Sequence, residues 1–350
     1  MPQPLSVGLL GLGGVAQGLL ELWSQSADPR FKIAWATDSE GAAFSTNGFD
    51  PASLLAAKRG AGLRSLRGAK FETQVPLTEV VSRAPCDILV NLLPCNYENG
   101  QPALPVLRAA LEEGIHVVTA EKASLVLGFE ALRRSSQAGK AHLRYSACVG
   151  GSVPFIPLLE WVSQANEIRR VTGVVNASTT YVLSELEARR HTPQEILERA
   201  SRLGILERNP ALDLEGYDLA AKGVLIHNTI YGEALPFKRA DRRGIQEFLD
   251  EPDKLRTGTR LVVTVEPGKV RLDAPVLPMH SPLRVYGLEN AILIETPHAG
   301  ELHVRGVGAG GRGTATNVYG DLVRVAQLLQ GGERTDGRPP IRPAALHPNV

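Results

Sequence analysis

A glycine-rich turn near the amino terminus limits what this chain can fold into. The stretch LSVGLLGLGGVAQGLLELWSQ, residues 5–25, predicts an apolar strand, a turn and then a helix. Its turn matches G-x-G-x-x-A: Gly11 permits a tight turn, Gly13 lets backbone N–H groups approach a pyrophosphate, and the small Ala16 lets helix and strand pack closely. The helix amino terminus would face the phosphates with the positive end of its dipole. We therefore expect the loop to contact a dinucleotide cofactor through Gly11, Leu12, Gly13, Gly14 and Val15.

The segments that follow alternate between strands and helices, which is typical of a Rossmann-type, doubly wound sheet. FKIAWATD ends at Asp38, whose carboxylate can accept hydrogen bonds from the adenosine ribose. Ligands of such sheets lie at the carboxyl ends of the strands, and Lys122 follows the strand HVVTA at that edge. From the pattern alone, Asp38 is either a ribose acceptor or a solvated turn residue. Lys122 is likewise either a site residue or a solvated loop lysine.

Composition limits the expected partners and compartment. With 350 residues, 43% of them hydrophobic and 21% charged, the chain is long enough for two ordinary domains. Its formal net charge of +1 gives no electrostatic reason to expect nucleic acid or an anionic membrane as a partner. The three cysteines are widely spaced, and neither a signal peptide nor a long apolar span is apparent, so we expect a cytoplasmic protein. Its partners should be small molecules and further copies of itself.

The second half of the chain changes character. Thr192, Pro193 and Glu195 form a capping-box pattern that predicts the start of a helix. RLVVTVEPGKVRLDAPV and AILIETPHAGELHVRGVG each predict a pair of antiparallel strands. These features favour an α+β domain with a mixed or antiparallel sheet. The tail GGERTDGRPPIRPAALHPNV, rich in Pro, Gly and Arg, is predicted to be disordered.

An isolated lysine interrupts the apolar, helical pattern of LAAKGVLIHN, residues 219–228. Lys222 shares a helix face with Asp218, four residues earlier, and Asp213 and Glu207 stand upstream. One interpretation is an ion pair on a solvated helix face, worth about 0.3–0.5 kcal/mol. The apolar neighbours of Lys222 leave little polar surface for such a pair and favour a functional lysine instead.

Several separated motifs together resemble the homoserine dehydrogenase family, whose members interconvert aspartate semialdehyde and homoserine. VGLLGLGGVAQG is similar to the family's nucleotide loop, and YSACVGGSVPFI resembles its Y-E-A-S-V-G-G-G-I-P turn. LGILERNPALDLEGYDLAAK carries the family's D-x-E-G-x-D-x-x-x-K motif, which is the most specific match. The resemblance covers residues 4–330. It implies an NAD(P)-dependent oxidoreductase acting on a CH–OH group, a homodimer that serves threonine and methionine biosynthesis.

The resemblance also implies a plan of domains. Residues 1–145 would bind the dinucleotide, and residues 146–305 would form the catalytic and dimerisation domain. Residues 306–330 would return to the nucleotide domain, and residues 331–350 would be the disordered tail.

Roles for single residues follow from the same resemblance. Reducing an aldehyde needs a hydride on carbon and a proton on oxygen, and Lys222 matches the lysine that donates and accepts this proton. The positions that match substrate-binding residues are Glu207, Asp213, Asp218 and Lys122. Carboxylates there suit the ammonium group of an amino-acid substrate. Further contacts to the cofactor are implied at Leu93, Lys122 and Gly308.

The chain departs from the family at a few positions. Glu121 replaces the asparagine of T-A-N-K, which adds a negative charge beside Lys122, and Ala177 and Thr180 replace two residues of N-G-T-T-N-Y. These changes leave two alternatives open. One is a dehydrogenase for another amino-acid semialdehyde, and the other is a nucleotide-binding homologue without catalysis.

Two departures concern the cofactor and a metal. Ser146 replaces a glutamate that helps the family hold a monovalent cation, so a strongly bound cation is not expected, although Val149 and Gly151 match its backbone carbonyl ligands. Asp38 is followed by Ser39 and Glu40 rather than by a basic residue, which slightly favours NAD over NADP. A basic side chain from a later segment, Lys58 or Arg59, would offset that preference.

Overall fold

The computed structural model describes residues 3–26, 28–206 and 209–329, and its strands form two sheets. The strands are β1 Leu5–Leu10, β2 Phe31–Thr37, β3 Ala42–Phe49, β4 Lys70–Glu72, β5 Ile88–Asn91, β6 His116–Thr119, β7 Leu143–Arg144, β8 Arg170–Val174, β9 Val262–Glu266, β10 Lys269–Asp273, β11 Glu289–Thr296 and β12 Gly300–Val307. The helices are α1 Gly14–Ser26, α2 Pro51–Arg59, α3 Leu77–Arg83, α4 Ala103–Glu112, α5 Ala123–Ala138, α6 Phe155–Ala165, α7 Ala177–Ala188, α8 Pro193–Arg202, α9 Ala211–Leu214, α10 Tyr217–Tyr231, α11 Gln246–Asp250 and α12 Gly311–Leu329. Within the described ranges, no helix has the length and apolar character needed to cross a membrane.

The first sheet has seven strands in the order β4-β3-β2-β1-β5-β6-β7. Strands β2, β1, β5, β6 and β7 are parallel, which confirms the predicted Rossmann-type core. Strands β3 and β4 add an antiparallel edge that the sequence pattern does not predict. The link between β2 and β3, residues 38–41, is too short for a crossover helix. The chain reverses there as a hairpin, in which the Asp38 N–H donates to the Gly41 carbonyl at 2.9 Å.

The second sheet has five strands in the order β10-β9-β8-β11-β12, all antiparallel, as the two predicted hairpins require. Helix α10 packs on β9 and β10. A Cβ added at Gly223 would lie 2.7 Å from methyl groups of both Val263 and Val270, so only glycine allows this close approach. The contact fixes the height of α10 above the sheet and therefore the position of the neighbouring Lys222.

Helix α12 crosses back to the first sheet and packs against α1. Its buried face joins one apolar cluster with Leu9 of β1 and with Leu19 and Leu20 of α1. The residues of α12 in that cluster are Ala315, Val318, Leu322, Val325 and Ala326. The predicted plan of domains, including a return segment at residues 306–330, stays a prediction. The tail predicted to be disordered, residues 331–350, lies outside the described residues.

Candidate active site

The glycine loop lies between β1 and α1, at the carboxyl end of its strand, as predicted. Gly11 has a φ of +87°, and a Cβ there would meet the Leu92 carbonyl oxygen at 3.0 Å. By contrast, a Cβ added at Gly13 or Gly14 would meet no described atom within 4 Å. The backbone in front of these two glycines is therefore open, as close approach of a pyrophosphate requires.

Asp38 lies at the carboxyl end of β2, but its carboxylate already has partners. Lys58 of α2 donates to Oδ2 at 2.6 Å, and the Glu40 N–H donates to Oδ1 at 2.9 Å. The Asp38 side chain is 3% exposed. Lys58 is thus the basic partner that the residues directly after Asp38 do not provide, and it balances the carboxylate charge at the predicted ribose position. The predicted slight preference for NAD stays a prediction.

A cavity of about 340 Å³ opens where the carboxyl ends of the first sheet meet α10. Loops after β1, β5 and β6 form one side of it, and the turn at Gly151 and the segment at Gly308 form another. The predicted cofactor residues Val15, Leu93, Lys122 and Gly308 line it together with the predicted catalytic Lys222. The remaining lining residues are Leu92, Pro94, Cys95, Ala120, Ala147, Cys148 and Thr314. The cavity therefore brings the nucleotide loop and the isolated lysine of α10 into one space.

Two lysines from different parts of the fold converge on one carboxylate beside this cavity. Lys222 Nζ lies 2.7 Å from Asp218 Oδ2, and Lys122 Nζ lies 3.3 Å from Asp218 Oδ1. The lysine side chains are each 13% exposed and the carboxylate 9%. The interpretation of an ion pair on a solvated face is therefore wrong, because the pair lies in the protein interior. The interpretation of Lys122 as a solvated loop lysine is wrong for the same reason.

Asp218 remains ionised in this setting. Burial by itself would raise the pKa of the carboxyl group, but the ammonium groups of Lys222 and Lys122, with their hydrogen bonds, lower it well below its ordinary value. A carboxylate thus fixes both lysines, and Lys222 also donates to the Val175 carbonyl at 2.8 Å.

A buried amide, Asn176, supports the carboxylates from behind. Its Nδ2 donates to Asp218 Oδ2 and to Asp213 Oδ1, both at 2.9 Å. Its Oδ1 accepts the Thr179 N–H at 2.8 Å and so caps the start of α7. One side chain therefore ties the end of β8, the start of α7 and both carboxylates together.

Of the two acidic residues predicted upstream of Asp218, the structure describes only Asp213. Asp213, on α9, is 4% exposed and stands next to Asp218 through the Asn176 amide. It does not belong to the cavity lining, so its predicted contact with substrate stays a prediction. Glu207 lies outside the described residues, and its role also stays a prediction.

Comparison with known proteins gives one consistent result. The family model described as homoserine dehydrogenase matches residues 154–323. The chain is 29% identical to a homoserine dehydrogenase from Methanocaldococcus jannaschii, over 92% of this chain and 98% of the relative. It is 30% identical to a homoserine dehydrogenase from Mycobacterium tuberculosis, over 95% of this chain and 74% of the relative. The chain belongs to the homoserine dehydrogenase family.

Solved homoserine dehydrogenases also share the fold. A hyperthermophilic archaeal homoserine dehydrogenase in complex with NADPH superposes with a TM-score of 0.82 at 28% identity, covering 93% of this chain and 98% of that one. A homoserine dehydrogenase from Thiobacillus denitrificans superposes with a TM-score of 0.74 at 28% identity, covering 94% of this chain and 74% of the other. The predicted family, fold class and NAD(P)-dependent oxidoreductase activity are confirmed.

Glu121, which stands where the homoserine dehydrogenase family has asparagine, binds the start of α5. It is 1% exposed, and its two carboxylate oxygens accept the N–H groups of Ala123 at 2.7 Å and Ser124 at 3.0 Å. Negative charge at a helix amino terminus is favourable, because the first N–H groups have no partner within the helix. The amino terminus of α5 therefore stabilises the negative charge of Glu121.

The cation ligands implied by the homoserine dehydrogenase resemblance make other contacts here. The Ser146 hydroxyl donates to Asp321 Oδ1 at 2.6 Å, and its N–H donates to Oδ2 at 2.8 Å. The Gly151 carbonyl accepts a hydrogen bond from Asn317 Nδ2 at 2.6 Å. Ser146 and Gly151 are therefore engaged by protein groups, and the expectation that no cation binds strongly stays a prediction.

Some residues in and beside the cavity have positions that the sequence does not indicate. Cys95 and Cys148 line the cavity, and the Cys95 sulfur accepts the Lys122 N–H at 3.4 Å. Burial raises the pKa of the Cys148 thiol well above its ordinary value, and this thiol donates to the Thr119 carbonyl. Asn176 stands in the family-like segment NASTTY, which indicates a helix start but not the carboxylates that its amide binds.

Proposed function

We propose that the chain interconverts L-aspartate 4-semialdehyde and L-homoserine with NAD or NADP, and that the cavity beside Lys122 and Lys222 is where this happens. The observation that carries the proposal is the meeting of both lysines on Asp218 at the wall of that cavity. One lysine follows β6 of the nucleotide-binding sheet, and the other belongs to α10. Their convergence joins the parts of the fold that would hold cofactor and substrate.

The residues around the glycine loop suit a dinucleotide. The open backbone at Gly13 and Gly14 can donate N–H groups to a pyrophosphate. Asp38 would hold the adenosine ribose, and Leu93, Lys122 and Gly308 would contact the half of the cofactor that enters the cavity. A bound nicotinamide supplies or accepts the hydride, and the chain's own residues handle the proton.

Lys222 is the proposed proton donor to the carbonyl oxygen of the aldehyde and the acceptor in the reverse direction. An ammonium group has three hydrogens to donate. Asp218 and the Val175 carbonyl take two of them at 2.7 and 2.8 Å, and the third is left for the cavity that Lys222 lines. The two fixed contacts hold Nζ in place, so that little reorganisation is needed when charge develops on the substrate oxygen.

Lys122 and Asp218 would position the reacting groups. Asp218 holds both ammonium groups, and Lys122 places a positive charge where cofactor and substrate meet. Glu207 and Asp213 are the carboxylates proposed to bind the substrate ammonium group, as opposite charge complementarity requires. This assignment rests on the family motif.

We further propose a homodimer in the cytoplasm. Exposed apolar side chains support association, because a subunit interface needs an apolar core. Among the described residues, the most exposed large apolar side chains are Trp161 and Met279, which are 71% and 76% exposed. The free cysteines at 86, 95 and 148 are compatible with a reducing compartment. Light scattering on the purified chain tests the dimer, and cell fractionation tests the compartment.

The decisive experiment is a spectrophotometric assay of nicotinamide oxidation with aspartate semialdehyde. We expect turnover with this substrate to exceed turnover with other amino-acid semialdehydes. Absence of turnover by a folded protein that binds NADH or NADPH would contradict the proposal, and so would faster turnover of another semialdehyde.

A further inference from the structure

A side-chain amide of α12 contacts the turn at residues 149–153, which also has a bond from the Val153 N–H to the Gly150 carbonyl and one from the Ser152 hydroxyl to the Val307 carbonyl. Asn317 of α12 donates from Nδ2 to the Gly151 carbonyl at 2.6 Å and to the Val153 carbonyl at 3.3 Å. Asn317 is 7% exposed, so these bonds form away from bulk water. The backbone oxygens of a turn that lines the cavity thus converge on one N–H₂ group.

The orientation of this amide follows from its partners. Both partners are carbonyl oxygens, which only accept hydrogen bonds. Rotating the amide by half a turn would bring its oxygen against both carbonyls and would take the Asn317 donor from Gly151, which is costly, whereas Val153 would keep its bond from the Phe155 N–H at 2.8 Å. The positive end of the amide dipole therefore occupies the point that the two carbonyls face.

A second side chain of α12, that of Asp321, accepts hydrogen bonds from Ser146. Asp321, four residues after Asn317, accepts both the hydroxyl and the N–H of Ser146, and Arg144 Nε stands 3.6 Å from its Oδ1. Burial raises the pKa of Asp321, and the guanidinium of Arg144 and the bonds from Ser146 oppose that rise. Positive charge is thus already supplied to this carboxylate by Arg144.

We infer that the Asn317 amide takes the structural part of a monovalent cation in this chain. It binds the Gly151 and Val153 carbonyls, as a cation would, while Ser146 donates its hydrogen bonds to Asp321. The turn that lines the cavity is therefore held without sodium or potassium. This inference concerns the stability of the turn and does not depend on the proposed reaction.

Thermal unfolding of the full chain tests the inference. The wild type is compared in NaCl, KCl and choline chloride at equal ionic strength, about 100 mM, so that general screening is the same. Asn317→Asp replaces the donor by an acceptor of the same shape and completes a cluster of oxygens, which hard cations prefer. Gln164→Glu, on the exposed side of α6, makes a comparable change of charge where no such cluster exists.

We expect the Tm of the wild type and of Gln164→Glu to agree within about 1 °C among the three salts, because no linked cation binds. The Tm of Asn317→Asp should be lowest in choline chloride and should rise saturably, by several degrees, with sodium or potassium. If that variant does not fold, Asn317→Ala removes the Asn317 bonds to the Gly151 and Val153 carbonyls without adding charge, and its Tm should show a weaker rise. A saturable cation effect on the wild type would overturn the inference. So would folded Asn317→Asp and Asn317→Ala proteins whose Tm responds to sodium or potassium no more than that of the wild type does.

Discussion

Lys122 and Lys222 contact different oxygens of one carboxylate, that of Asp218, at 3.3 and 2.7 Å. The lysines enter from opposite sides, one after β6 and one from α10, and both line the cavity. The contact couples the position of the proposed proton donor to the position of the nucleotide-binding sheet. Substitutions at these residues should therefore separate catalysis from folding.

Lys222→Ala should lower kcat by about 10²-fold or more, because general acid–base groups typically contribute about 10²–10⁴-fold. Binding of NADH or NADPH, measured by fluorescence titration, should change only a few-fold, since the glycine loop is formed by β1 and α1, whereas Lys222 belongs to α10. Lys122 still pairs with Asp218 in this variant, so the fold should survive. The double variant Lys222→Met with Asp218→Asn controls for the strain of a buried carboxylate that has lost one of its two lysine partners. A folded Lys222→Ala protein with more than about a tenth of wild-type kcat would make the lysine structural.

Asn176→Ala should destabilise the protein by about 2–4 kcal/mol, because it removes a helix cap and the donor to two buried carboxylates. Urea unfolding measures this change. Thr192→Ala is the matched control, since Thr192 caps the exposed start of α8 and contacts Glu195 rather than a buried carboxylate. It should cost only about 1 kcal/mol. Equal losses in the two variants would show that the contacts to Asp213 and Asp218 add nothing.

Asp218 should make stability depend on pH in the acid range. Its folded pKa is lowered below the ordinary value of 3.8, so folding favours the ionised form. The contribution is complete above that value and is lost as pH falls through it toward the folded pKa. The difference in unfolding free energy between wild type and Asp218→Asn should therefore shrink as pH falls from about 5 to about 3. A difference that stays constant over this range would contradict the assignment.

Lys58→Ala should weaken NADPH relative to NADH, because it leaves the Asp38 carboxylate to repel a 2′-phosphate. We expect the ratio of KM values to change by about tenfold, which corresponds to about 1.4 kcal/mol. Lys70→Ala, whose partner Glu72 lies on an edge strand, is the control. For the wild type, the prediction from Asp38 is that NADH serves at least as well as NADPH. Steady-state kinetics with both cofactors would refute it by showing more than about tenfold preference for NADPH.

Glu207→Ala should raise KM for the amino-acid substrate more than it lowers kcat, because the residue is assigned to binding and not to proton transfer. Initial-rate kinetics with varied aspartate semialdehyde give both constants. Glu198→Ala, on the exposed side of α8, removes a carboxylate nearby in sequence and should change neither. A fall in kcat at unchanged KM would place Glu207 in the chemical step.

The sequence predicts local relationships well and distant ones poorly. The pairing of Asp218 with Lys222 follows from their helical spacing, and the capping box of α8 follows from three neighbouring residues. The contacts of Ser146 with Asp321 join residues 175 positions apart and depend on how α12 returns to the first sheet. No periodicity encodes such a contact. Lys58 reaches Asp38 for a similar reason, because β3 reverses the chain and brings α2 back over the end of β2.

Strand β3, which lies between β2 and the edge strand β4, shows a second limit of prediction from sequence. Its sequence, AAFSTNGF, combines two small residues with polar ones and has no clean alternation. It forms a strand because the short hairpin after β2 places it beside an unpaired edge, where backbone bonds are available. Pairing with β2 thus determines the conformation of a segment whose intrinsic preference does not favour a strand clearly.

The packing of α12 on α1 also sets an order of events during synthesis on the ribosome. The glycine loop, β1 and α1 emerge first, but the apolar face of α1 meets its partner only when Val318, Leu322 and Val325 have been translated. Until then, the apolar residues of α1 that pack against α12 are exposed to solvent. We expect incomplete chains to bind a chaperone at this apolar surface, and to be released from it once α12 has been translated.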